Sequence, residues 1–271
     1  MGAPNTLDAF PVIYWDKASR AKIPRDLILE EPLSIRIQGK PYSVVLRTPG
    51  DELAHVAGFS LGEGIIDSQD DYTSIAFCDG EDTNVVTVTL QPDRLKKISG
   101  YLDRRGFVSQ TSCGLCGKEL VKELYQFIDP MDDTVKVDIE RAYQCLNKLT
   151  GLQPLRKRTR ATHAAVLYDT TFKCIAAAED VGRHNALDKA IGKVFLNHRL
   201  DEATLLTLSS RISYELVQKA ARARIPVIIA ASRPTALALD LARNLNITLA
   251  TQSKGEGLYI FCGEHRLVSK S

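Results

Sequence analysis

The stretch from Cys174 to Phe261 follows a strict rhythm: a short run of β-branched and aliphatic residues, a polar loop, then an amphipathic stretch long enough for a helix. No other feature of the chain constrains its fold as much. The runs at 174–178, 204–208, 226–231, 247–251 and 258–261 read as strands, and the stretches up to Val194, over 212–224 and over 236–245 read as helices. Strands alternating with helices need crossover connections, which predicts an α/β protein with a mainly parallel sheet and helices on its faces. A strand-like AAVLYD at 164–169, entered from the basic run 155–160, precedes this rhythm.

The N-terminal part is α+β in character. Residues 1–30 carry no sustained pattern and are expected to form an irregular arm. The segment SIRIQGKPYSVVLRT then reads as a hairpin broken at Gly39, Lys40 and Pro41. A helix is expected from Asp51, strands at 72–78 and 85–90, and helices over 92–102, 118–128 and 138–149, with little periodicity over 104–117. The chain therefore divides into an N-terminal α+β subdomain, residues 1–117, ending in a C-x-x-C loop, and an α/β domain, residues 118–271, that binds the ligand.

Composition narrows the partners. With 35 Lys+Arg against 33 Asp+Glu the formal charge is +2, so bulk binding to nucleic acid or an acidic membrane is not expected, since both need clustered, uncompensated cations. The N-terminus lacks the pattern of a signal peptide, and no run of apolar residues is long enough to span a bilayer. Six cysteines in a chain of this length are expected to be free thiols of a cytoplasmic protein.

In a sheet of this class, ligands bind outside the carboxyl ends of the strands. The loops there, EDVGRHN, SSR, SRPT and QSKGEG, supply Arg183, His184, Ser209, Ser210, Arg211, Ser232, Arg233, Thr235 and Lys254, a rim suited to an anionic, nucleotide-sized ligand. Taken singly, each loop also reads as a helix cap with solvated cations. The densest segment, EDVGRHNALDK, places His184 and Asp188 four apart, where the carboxylate could orient the imidazole; an amphipathic helix start explains the spacing equally well.

The second centre is the pair Cys113 and Cys116, bracketed by Gly114 and Gly117. Such a pair serves thiol chemistry or zinc. No second C-x-x-C is present, which favours a reactive thiol; zinc held with His163 or His184 is the alternative, and no metal site is assigned. Cys78, Cys145, Cys174 and Cys262 stand singly in apolar surroundings and read as small core residues. At His163 the pattern departs from that of zinc deaminases, with Ala165 where those carry a glutamate.

Taken together, EEPLSIRIQGKPYSVVLRTP, DELAHVAGFSLGEGII, TSCGLCGKEL, THAAVLYD, EDVGRHNALDKAIG, SYELVQKAARARIPVI and PTALALDLA resemble the formate dehydrogenase accessory sulfurtransferase family, FdhD/NarQ. The resemblance implies a protein that takes persulfide sulfur from a cysteine desulfurase. It passes that sulfur to the molybdenum or tungsten bis-molybdopterin guanine dinucleotide cofactor before the cofactor enters formate dehydrogenase. It further implies a homodimer and a three-layer α/β/α sheet like that of cytidine deaminases, without deaminase activity. Cys113 then matches the persulfide carrier, Cys116 the second thiol, and Gln252, Ser253, Lys254, Gly255, Glu256 and Gly257 the cofactor-binding stretch, with GDP as a mimic of the cofactor's nucleotide part. Ser210 stands where the family commonly has glycine, and Glu256 with Gly257 makes the last stretch less basic. Two rivals remain: a non-catalytic cofactor-binding chaperone, and a zinc-stabilised nucleotide-binding regulator.

Overall fold

The computed structural model describes residues 6–78, 83–105 and 128–269. Cys113, Cys116 and residues 118–127 of an expected helix lie outside the described residues. The arm expected at the N-terminus is instead a hairpin, β1 (Leu7–Trp15) and β2 (Arg20–Ile28), in unbroken antiparallel register. Pro11 and Pro24 conceal it in the sequence. They face each other across the ribbon, which has edges where a missing N–H costs no ladder hydrogen bond.

The next unit is a four-stranded sheet ordered β4-β3-β6-β5, from β3 (Glu31–Ile37), β4 (Lys40–Arg47), β5 (Tyr72–Phe77) and β6 (Val85–Leu90). The expected β3–β4 turn forms at Gln38 and Gly39, whose φ values of 53° and 75° are those of a two-residue primed turn. Between β4 and β5 runs helix α1 (Glu52–Gly62), and α2 (Pro92–Arg105) follows β6.

The larger sheet has six strands in the order β13-β12-β11-β10-β8-β9, with β8 (His163–Tyr168), β9 (Cys174–Asp180), β10 (Leu205–Leu208), β11 (Val227–Ala230), β12 (Thr248–Gln252) and β13 (Leu258–Cys262). It is mixed, not mainly parallel: of five neighbouring pairs, only β10–β11 and β11–β12 run parallel. The cause is loop length. The β8–β9 and β12–β13 connections are tight turns, too short for the dozen or more residues of a crossover. The first is held by Asp169 Oδ1, which accepts from the amides of Thr171 and Lys173.

Helices cover both faces. Alternate residues of β8 separate the two cores: Ala165 and Leu167 pack with α1, α5 (Arg183–Leu196), α6 (Tyr214–Arg222) and α7 (Ala236–Asn244). Ala164, Val166 and Tyr168 point the other way, against α3 (Ile139–Lys148). The basic run forms a short helix, α4 (Pro154–Thr159), with proline in its first turn. A two-residue pairing of β7 (Val137–Asp138) with β14 (Leu267–Val268) ties down the C-terminal end. Among the described residues no helix is long and apolar enough to cross a membrane.

Helix α1 joins the two sheets by packing on α5 at backbone contact distance. His55 on α1 is buried there, and burial, with Lys189, Lys219 and Arg47 nearby, holds its imidazole well below the usual histidine range. The native state thus keeps His55 neutral, while the unfolded chain takes up a proton below about pH 6.5. Stability is therefore retained above that pH and lost as pH falls through it, by about 1.4 kcal/mol per pH unit from this group. Urea unfolding at pH 7 and pH 5 should show a smaller loss in a His55→Gln variant than in the wild type; equal losses would contradict a neutral buried imidazole.

Candidate functional site

The strand directions gather the predicted loops at one end of the large sheet. β10, β11 and β12 run parallel and end there at Leu208, Ala230 and Gln252. β8 runs against β10 and so starts there, with Ala165 opposite Leu208, while β9 runs against β8 and ends there, with Asp180 opposite His163. His163, Glu179, Ser209, Ser232 and Gln252 thus share one sheet end even though the sheet is mixed.

Two adjoining cavities open at this end. One, of about 400 Å³, is walled by Ala231, Ser232, Arg233, Gln252, Ser253, Lys254 and Tyr259. The other, of about 250 Å³, runs from the shared residues Ala231 and Gln252 past Ser209 to Asn147, Thr150, Gln153 and Arg156. The first falls within the size range of small-molecule sites. Among the described residues neither wall holds a carboxylate, and together they carry three cations, Arg156, Arg233 and Lys254. A space with that charge favours an anion.

The outer cavity is shaped by the QSKGEG turn that joins β12 to β13. The Ser253 amide donates to the Gly257 carbonyl at 3.0 Å, and Gly257 has φ 131°, a conformation that strains any residue with a Cβ. Ser253 Oγ accepts from the Gly255 amide, and Gly255 has open space around its Cα. Arg233 lies over the Tyr259 ring at 5.5 Å, which fixes its guanidinium at the rim. Glu256 is exposed on the same turn but lines neither cavity.

The inner cavity is rich in amides. Gln153 is 4% exposed, and its Nε2 has no acceptor among the described residues. A buried amide donor left unpaired costs about 1–3 kcal/mol, which a ligand acceptor would relieve. Asn147 Oδ1 accepts from Gln252 Nε2 at 3.5 Å, Ser209 Oγ accepts from the Ala164 amide at 2.8 Å, and Arg156 donates to the Thr162 carbonyl at 2.7 Å. Sequence reasoning missed Asn147, Thr150, Gln153, Arg156 and Tyr259. The one available signal was Gln153 placed before Pro154, at the start of a cationic helix.

Most of EDVGRHNALDK holds the fold together. Glu179 caps α4, accepting from the amides of Leu155 and Arg156 at 2.7 and 2.9 Å. Asp180 is a buried hub that accepts from the amides of Thr48 and Gly182, from Asn185 Nδ2, and from Lys189 Nζ at 2.7 Å. Asp188 does not reach His184. Its position on the inner face of α5 turns it to Lys219 at 2.8 Å, and burial pushes its carboxyl up to about 6 against the pull of that lysine.

His184 instead sits at the sheet end, its Nε2 3.1 Å from Ser213 Oγ and 2.8 Å from Glu215. The hydrogen bond from His184 holds the Glu215 carboxyl below the usual range. His163 is depressed first by burial and then by Arg156 and Arg183, and its Nδ1 has no hydrogen-bond partner among the described residues. Arg183, His184 and the exposed Arg211 lie outside both cavity walls, at the same sheet end. Ser210 is buried, its hydroxyl donating to the Arg211 carbonyl.

Of the single cysteines, Cys145 and Cys262 are buried as expected, whereas Cys78 and Cys174 are exposed. Burial pushes the Cys145 thiol up to about 11 and raises those of Cys174 and Cys262, so all three are poor thiolates at neutral pH. No group of three or more metal-ligating side chains occurs among the described residues.

Comparison with known proteins places this architecture. Residues 28–268 match the model of the FdhD/NarQ family. The sulfur carrier protein FdhD of Streptomyces avermitilis is 37% identical over 260 residues, covering 92% of this chain and 91% of its own. That of Mycobacterium tuberculosis is 36% identical over 257 residues, covering 90% and 92%. A crystal structure titled as a formate dehydrogenase accessory protein, from Desulfotalea psychrophila, shares the fold with a TM-score of 0.78 at 21% identity, covering 97% of this chain and all of that one. With the family model spanning the strand-end site and both sheets, and with relatives alike along nearly their full length, the chain belongs to the FdhD/NarQ family.

Proposed function

We propose that this protein is a sulfur carrier that supplies sulfur for the molybdenum cofactor of formate dehydrogenase, and that the strand-end cavities hold the nucleotide part of that cofactor as cargo. The observation that carries the binding half of this reading is a double cavity that, among the described residues, is free of carboxylates, bears Arg156, Arg233 and Lys254 and leaves the buried Gln153 amide unpaired. Phosphates would meet Arg233 and Lys254 beside the open backbone at Gly255, and a hydrogen-bonding heterocycle would meet Gln153, Asn147 and Ser209.

Sulfur enters at Cys113. Its thiolate attacks the outer sulfur of a persulfide on a cysteine desulfurase, a bond forms between Cys113 Sγ and that sulfur, and the donor's S–S bond breaks, its electron pair leaving on the donor thiolate. Oxidation state is conserved in this exchange, so loading the sulfur needs no outside oxidant or reductant. When Cys116, or an outside thiol, attacks Cys113 Sγ, the S–S bond of the persulfide breaks, the terminal sulfur leaves as hydrosulfide for the cofactor held at the sheet end, and the disulfide formed is reopened by a cellular thiol reductant. Support for thiol chemistry comes from the C-x-x-C sequence and from the poor ionisation of Cys145, Cys174 and Cys262.

Titration calorimetry with GDP tests the binding half. The Arg233→Ala, Lys254→Ala double variant should bind GDP at least about tenfold more weakly than the wild type, as the loss of charge-assisted hydrogen bonds implies. Arg211→Ala, outside both cavity walls, should change it little. Unaltered GDP affinity in the double variant, or no binding by the wild type, would contradict the assignment.

A further inference from the structure

The β1–β2 ribbon is a long two-stranded element, and among the described residues no further strand joins it. An isolated hairpin is marginal in water, yet this one leaves large apolar side chains open: Ile13 is 66% exposed, Trp15 64%, Tyr14 49% and Phe10 45%. The register divides them between both faces. Pro11, Ile13 and Trp15 share a face with Lys22 and Arg20, whereas Phe10 and Tyr14 share the other with Arg25.

Charge on this element departs from that of the chain. β2 packs on α4, and the two together hold Arg20, Lys22, Arg25, Arg156, Lys157 and Arg158 against one carboxylate, Asp26, which is bound to Arg158 at 2.9 Å. The chain as a whole is nearly balanced. The three β2 cations and Lys157 are exposed and form no ion pair among the described residues. Asp8 on β1 and Asp16 in the ribbon turn offset part of this charge; with Lys17 of the same turn counted, the ribbon and α4 together hold seven cations against three carboxylates.

We propose that the β1–β2 ribbon and α4 form the docking surface for a partner protein whose facing patch is rich in carboxylates and bordered by apolar side chains. Exposed aromatic residues interleaved with arginine match the composition of interface centres, and the arginine fork suits paired carboxylates. A flat lipid surface would reach one face of the ribbon and leave the other wet, whereas a protein groove covers both. Position adds a use: Arg156 of α4 also lines the inner cavity, so a partner seated here stands beside the route by which cargo enters or leaves. The surface goes beyond the proposed function and takes from it only the choice of partners to test.

The test measures binding of the full chain to purified cysteine desulfurase and to the cofactor-free catalytic subunit of formate dehydrogenase, across a range of salt concentrations. Two variants are compared, Arg20→Glu/Lys22→Glu/Arg25→Glu and Ile13→Ser/Trp15→Ala, each checked by circular dichroism. At least one of the two proteins should bind the wild type, with affinity falling as salt rises and falling about tenfold or more in each variant. GDP affinity should stay the same in both variants. The proposal is overturned if both proteins bind the variants as tightly as the wild type, or if neither binds the wild type. It is equally overturned if the variants lose self-association in sedimentation, or binding to anionic vesicles or RNA, and not binding to these proteins. Should the wild type also fail to bind GDP, the functional reading falls with it; normal GDP binding confines the failure to this surface.

Discussion

Gly192→Ala should destabilise the protein by at least about 3 kcal/mol and lower Tm by roughly 10 °C, or leave the chain insoluble. A Cβ at position 192 would lie 1.7 Å from the Ala54 carbonyl oxygen, and one at Gly58, on the facing helix, 1.9 Å from the Asp188 carbonyl oxygen. Both obstacles are backbone, so no side-chain rotation relieves them and α1 must move away from α5. That movement also pulls at the buried pairs Lys189–Asp180 and Lys219–Asp188 beside the contact, and ions separated in a dry interior cost several kcal/mol. Gly100→Ala is the control: it is exposed on α2 with nothing within reach of its Cβ, so it should gain about 0.5–1 kcal/mol from helix propensity. Thermal melts of both variants check the pair. A Gly192→Ala protein melting with the wild type would mean that α1 and α5 do not meet as described.

The second large effect concerns function. Cys113→Ala should lower maturation of formate dehydrogenase on the order of a thousandfold, because a covalent carrier has no substitute when its nucleophile is removed. Buried Cys145 and Cys262 cannot take over as protonated thiols, and GDP affinity should be unchanged. Cys116→Ala is expected to cost less, since the first thiol still accepts sulfur. If Cys113→Ala cells retain full dehydrogenase activity, the rival reading of a non-catalytic chaperone is the better one. Zinc bound stoichiometrically to anaerobically purified protein would favour the other rival.

Much of the site was legible because it follows from chain direction. Any strand of the large sheet that enters or leaves at the ligand end brings its loop there, so Ser209, Ser232 and Gln252 could be expected together despite the mistaken expectation of a mainly parallel sheet. What sequence could not give depends on contacts between distant segments. Asn147 on α3 and Gln153 just before α4 carried no functional sign in the pattern, and only the fold, with α3 packed against β10 and β11, brings them to the cavity. The spacing of His184 and Asp188 suggested a pair, yet α5 buries one and leaves the other at the edge, where α6 supplies Glu215. The β1–β2 ribbon was concealed by its prolines, which oppose a central strand but not a free two-stranded one.

The central claim is that sulfur travels on Cys113. The protein is incubated with a cysteine desulfurase and cysteine, digested without reductant, and searched by mass spectrometry for peptides heavier by a single sulfur atom. The account predicts that sulfur on the peptide containing Cys113, on that residue, removable by a thiol reductant and absent from Cys145 and Cys262. Sulfur found only on another cysteine, or none gained by protein that still binds GDP, would contradict it.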